Sequence, residues 1–139
     1  MPTFSPKLLD LLTECALVSL DPGENDRELR FIFSWEGVEA VDRPDMTLLL
    51  RNVGFLMIWR DIDKHGDYPV LGVSLDDLGE DGIITLPPLP PRPKEAQKIW
   101  TDCGGERLSH LRVEGSIRIE ALCEELEILS EEYAGMLLP

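Results

Sequence analysis

From Leu111 to Cys123 apolar and polar residues alternate. Leu111, Val113, Ile117, Ile119, Ala121 and Cys123 fall on odd positions, and Arg112, Glu114, Ser116, Arg118 and Glu120 on even ones. A period of two belongs to a pleated strand with one face buried. On a helix the same residues would be scattered around the axis. The segment is therefore expected to be a strand. The same period governs Leu29, Phe31, Phe33 and Trp35, which alternate with Arg30, Ile32 and Ser34.

These two segments set the frame for the rest. Leu48 to Trp59 is apolar on both faces and is interrupted by Arg51-Asn52 and Gly54. It reads as one bent central strand or two short ones, covered on both sides. Tyr68 to Leu75 and Ile83 to Leu86 supply two more strands, with an acidic loop from Asp76 to Gly82 between them. Short turns between strands favour antiparallel pairing over a parallel α/β sheet. Ser5-Pro6 provides a capping side chain and a proline at the first helical position, and Leu8, Leu9, Leu11 and Leu12 follow as an apolar stripe. Cys15 to Leu20 either extends that helix or begins a strand.

Five prolines within Pro87–Pro93 can supply neither helix nor ladder donors, and such a run is expected to be extended. Lys94 to Asp102 then reads as a short helix stopped by Gly104-Gly105. Past Cys123 the pattern forks. Leu122, Leu126, Leu129, Tyr133 and Met136 have helical spacing, whereas Leu126 and Ile128 continue the strand if a bulge reverses its phase. The preferred reading is strand with a helical or frayed tail.

A chain of 139 residues is expected to form a single globular domain spanning 1–139. The expected fold is α+β: a predominantly antiparallel β-sheet, curved into a sandwich or half-barrel. An N-terminal helix and one short helix after the proline-rich connector complete it.

Charge narrows the function classes. Twenty-seven acidic residues oppose thirteen basic ones, a formal net charge of -14. Such a field repels phosphate backbones and anionic lipid, so neither nucleic acid nor membrane is an expected partner. It would speed encounter with a basic protein. The acidity is uneven: from Ile119 onward there are six glutamates, Glu120, Glu124, Glu125, Glu127, Glu131 and Glu132, and no lysine or arginine. These are the candidate partner-binding residues, against the plainer reading of a solvated face.

Other motifs are weaker. Pro87-Pro88-Leu89-Pro90-Pro91-Arg92 resembles the ligand of SH3 domains, with Pro87 and Pro90 at PxxP spacing and Arg92 as the terminal cation. A rigid connector explains the same residues. Asp61, Asp63 and Gly66 begin like a calcium loop, but His65 and Gly72 stand where oxygen ligands belong. Cys15, Cys103 and Cys123 form no close pair, and with His65 and His110 they make no zinc spacing. Reduced thiols suit a cytoplasmic protein. No signal peptide, membrane span, nucleophile elbow or phosphate loop is visible, and no metal or cofactor is expected.

The expected function is a non-enzymatic acidic protein binding a basic partner, as an inhibitor or immunity-type protein of a toxic nuclease would. The alternatives are a small-ligand domain or hydrolase using carboxylates in a sheet cleft, and an SH3-binding adaptor through the proline-rich segment.

Overall fold

The computed structural model describes residues 2–25, 27–35, 43–60, 68–77, 83–86, 97–100 and 108–139. Twelve elements follow one another: β1 (Thr3–Phe4), α1 (Pro6–Leu12), β2 (Cys15–Pro22), β3 (Leu29–Trp35), β4 (Met46–Arg60), β5 (Tyr68–Asp77), β6 (Ile83–Leu86), β7 (Gln97–Trp100), β8 (Ser109–Gly115), β9 (Ile117–Ile128), α2 (Glu131–Ala134) and β10 (Leu137–Leu138). The fold is α+β and dominated by antiparallel sheet, as the alternation requires.

The curvature goes further than a half-barrel. Six strands close on themselves in the order β2-β3-β4-β9-β8-β5. Every neighbouring pair is antiparallel. Three consecutive strands, β2 to β4, are followed by β5, which returns to lie beside β2. That is a Greek-key connection. The closing seam is short, with Ala16 opposite Pro69 and Leu17 opposite Tyr68. Closure pairs strand edges that would otherwise stay open to other chains.

Inside the barrel the residues of one parity meet. Phe31 and Phe33 of β3 are fully buried, and their rings meet edge to face at 6.4 Å and 64°. Leu48, Leu50, Leu111, Val113, Ile119, Ala121 and Cys123 complete the packing. Side chains fill a barrel of this size. Leu8 and Leu12 of α1 pack into the same core. The Ser5 hydroxyl caps that helix by accepting from the Leu8 N–H at 3.2 Å, with Pro6 at the first position. Cys15 then begins β2, so the helix does not extend past Leu12.

The long alternating segment is two strands. β8 and β9 form a hairpin in which Ser109 faces Cys123, Leu111 faces Ala121 and Val113 faces Ile119. Odd residues pair with odd, so the alternation runs through the reversal in phase and leaves no trace of it. Gly115 permits the close approach there. A Cβ on it would lie 2.4 Å from the Pro69 carbonyl oxygen, and its φ is +156°.

β9 continues through Ile128 with a change of phase. Cys123 is buried, Glu124 and Glu125 are both exposed, Leu126 is half-buried and Ile128 is buried. β4 bends at the same level. Asn52 adopts φ 54°, and the β4–β9 register slips by one residue between Val53 and Phe55. The apolar run Leu48 to Trp59 therefore lies within one bent strand.

Two expectations are corrected. The segment 94–102 is not a helix where it is described. Gln97–Trp100 is strand β7 and pairs with Ile83–Leu86 as a two-stranded ribbon. Its local helical preference yields to the pairing partner brought alongside, and β-propensity of this kind depends on context. The second helix is instead α2, near the C-terminus. The supposed acidic loop also begins later, since Asp76 and Asp77 belong to β5. Among the described residues no helix is long and apolar enough to cross a membrane.

Candidate functional site

The six glutamates singled out by the sequence separate into three environments. Glu120 is 2% exposed and does not belong to an acidic surface at all. It stands on the outer face of β9, opposite Met57 of β4 and Arg112 of β8. Arg112 Nε donates to its Oε1 at 2.7 Å, and His110 Nε2 contacts its Oε2. A buried carboxylate needs such partners because burial removes the water that would otherwise solvate it. Beside it, Leu122 is buried against Phe55, Met57 and Leu108 in a second, smaller apolar cluster. Sequence parity could have found the triad: once β8 and β9 form the hairpin, His110, Arg112 and Glu120 share one face.

Glu124, Glu125 and Glu127 are exposed on the C-terminal half of β9. Asn52 Nδ2 donates to Glu124 Oε2 at 3.0 Å. Arg51 lies opposite Glu125 and donates to Glu127 Oε2 at 2.6 Å. This pair is solvent-exposed, with side chains 35% and 49% accessible. The Arg51 guanidinium is held above its ordinary value, first by the hydrogen bond to Glu127. Desolvation opposes the shift, and the charges of Glu127, Glu28 and Glu125 reinforce it. One arginine is thus enclosed by three carboxylates, and the local surface stays negative. Glu131 and Glu132 form a separate exposed pair in the first turn of α2. Strand pairing fixes the backbone of the β9 acids on both sides up to Cys123 and on the β4 side beyond it.

A shallow groove of about 240 Å³ adjoins this strip. Leu29, Val53, Gly54, Phe55 and Leu56 line it, so it brings no carboxylates together. Its origin lies in the unequal length of neighbouring strands. β3 pairs with β4 only as far as Leu50, while β4 continues to Arg60. Leu56 and Ile58 lie opposite Ala121 and Ile119, on the side of β4 that faces the core, yet they are 41% and 43% exposed. The expectation that this apolar run is covered on both sides therefore fails past the bulge, because the covering strand has ended. Gly54 was the visible signal.

Cys15 and Cys123 are buried cysteines. Burial pushes the Cys123 thiol up to about 12, which suppresses the nucleophilic thiolate. Among the described residues no group of three or more His, Cys, Asp or Glu side chains converges to hold a metal. Pro87, Pro90 and Arg92 lie outside the described residues, as do Asp61, Asp63, His65 and Cys103. No protein-family model matches the sequence, and no curated protein matches it.

Proposed function

We propose that this protein is a non-enzymatic interaction domain whose acidic surface engages a basic protein, in the manner of a small inhibitor or immunity-type protein. One observation carries the reading: Glu124, Glu125 and Glu127 are exposed side by side on a strand whose backbone the barrel fixes. Carboxylates presented on a rigid strand lose little backbone freedom on binding, so their field acts on a partner without a prior ordering cost. The overall charge of -14 extends that field and accelerates encounter with a positive surface. A partner that normally grips nucleic acid would offer such a surface, and occupying it would block the grip.

The test begins with a tagged protein used to capture partners from lysate of its own cell, with washes at low and high salt. A captured basic protein is then purified, and its association rate is measured against the wild type and a Glu124→Lys, Glu125→Lys, Glu127→Lys variant. The expected result is association slowed by about tenfold or more at low salt, with the difference shrinking as salt rises. An unchanged rate removes this surface from the interaction.

A further inference from the structure

Resting on that reading, we infer that the edge of β4 past Val53, which no described strand covers, takes an extended segment of the basic partner as an added antiparallel strand. Three observations converge on it. The Val53 N–H donates to the Arg27 carbonyl at 2.9 Å, and beyond that bond no described strand pairs with the β3-side edge of β4. In an antiparallel ladder every second residue directs its N–H and C=O away from the existing neighbour, so among the described residues no strand meets the donors and acceptors that residues 54–60 direct to this side. An exposed edge of this kind is a template for strand addition.

Side chains then specify what the segment carries. Leu56 and Ile58 are partly exposed on one face of the edge, and the groove formed with Leu29, Val53 and Phe55 lies at its near end. Alternate residues of an added strand would place aliphatic side chains over them. Glu28, adjacent to Leu29, and Glu124, bonded to Asn52 beside Val53, flank the same end, and Glu125 and Glu127 stand next to them. The incoming strand is accordingly one that alternates aliphatic residues with lysine or arginine where it meets this end, away from Arg118, which lies over Trp59 at the other. A second copy of this chain is the poorer occupant, because it would bring like charges together at this end.

Three short, terminally blocked, dye-labelled peptides test the inference by fluorescence anisotropy with the full chain. The first alternates lysine and valine. The second has the same sequence with alternate backbone nitrogens methylated, which preserves charge and side chains but removes ladder donors. The third alternates glutamate and valine. Saturable binding of the first peptide with Kd at or below about 1 mM is expected. The methylated peptide should bind about tenfold more weakly, since it loses two or more backbone hydrogen bonds. A Leu56→Ser, Ile58→Ser variant should show a similar loss. Should that variant fold poorly, the methylated comparison still decides the matter on the wild-type chain.

Equal binding of the first two peptides overturns strand addition but leaves the acidic docking surface standing. Equal binding of the glutamate peptide overturns the choice of a basic segment. No binding of the lysine peptide overturns the edge as a site, whereas the fate of the acidic surface is read separately from the association rates of the charge-reversal variant.

Discussion

Trp35, at the end of β3, and Tyr133, within α2, share the carbonyl oxygen of Pro44. Trp35 Nε1 donates to that oxygen and to the Tyr133 hydroxyl, both at 2.9 Å, and Tyr133 Oη donates to the same carbonyl at 3.0 Å. The rings lie 5.8 Å apart, and the Arg43 guanidinium sits 5.2 Å from the Trp35 ring centroid. Ser130 adds a parallel link, accepting from the Thr47 N–H at 2.9 Å and donating to the Asp45 carbonyl at 3.0 Å. A four-residue helix could not persist alone. These side chains hold α2 against the start of β4.

Removing the hydroxyl should therefore loosen the C-terminal segment. Tyr133→Phe is expected to cost about 1–2 kcal/mol, because Trp35 keeps one acceptor while the Pro44 carbonyl loses one donor. Urea denaturation read by tryptophan fluorescence checks the value. A change within experimental noise means that the segment is held by packing alone.

The buried triad makes a larger demand. In Glu120→Ala, Arg112 and His110 lose their shared carboxylate on the outer face of β9, where Glu120 is 2% exposed. Stripping one partner from a buried charged pair is expected to cost about 3 kcal/mol. Glu127→Ala also removes an arginine partner, but its pair is solvent-exposed and should cost less than about 1 kcal/mol. The two variants measured together separate burial from mere pairing. Equal costs would contradict the placement of Glu120.

Stability should fall in alkali. The Cys123 thiol is pushed from 9.0 up to about 12 by burial, and desolvation likewise raises the Tyr133 hydroxyl from its ordinary value of 10.0. A raised value in the folded state means that the unfolded chain releases the proton first. The contribution is fully present below pH 9 and is lost as pH rises towards 12. For Cys123 that contribution is on the order of 4 kcal/mol. Denaturation midpoints taken from pH 8 to the alkaline limit should drop steeply for the wild type and less for Cys123→Val. Superimposable pH profiles would show that the thiol does not contribute.

Gly115 and Gly72 stand on neighbouring strands, opposite Val70 and Glu114 respectively. A Cβ at Gly115 meets the Pro69 carbonyl oxygen at 2.4 Å, while one at Gly72 meets nothing within 4 Å. Gly115→Ala should destabilise by more than about 1 kcal/mol, and Gly72→Ala should be near neutral. Thermal melts of both variants decide it. Similar melting points would mean that the β5–β8 wall yields freely.

Much of this architecture is local and was legible. The alternation of Leu29–Trp35 specifies a half-buried strand, and Ser5-Pro6 specifies the start of α1, because these signals depend only on the geometry of adjacent residues. The continuation of β9 through Ile128 was also readable from its apolar positions. The hairpin at Ser116 was not. Its pairing keeps odd residues opposite odd ones, so the reversal costs the pattern nothing. The strand at Gln97–Trp100 was hidden as well, since a four-residue segment takes its conformation from the Ile83–Leu86 strand it meets.

The candidate site divides along the same line. Sequence by itself determined the sign and density of charge near the C-terminus, because composition does not depend on folding. It also determined that the chain would form antiparallel strands with one apolar face. Tertiary structure alone decided that Glu120 is buried with Arg112 and His110 while Glu124, Glu125 and Glu127 face solvent, because the side of a sheet is set by which strands pair and in what register. Only closure of the barrel, with β3 ending short of β4, could leave Leu56 and Ile58 exposed beside those acids. A strand carries its own pattern in the order of its residues, but what covers it is supplied by segments far away in the chain.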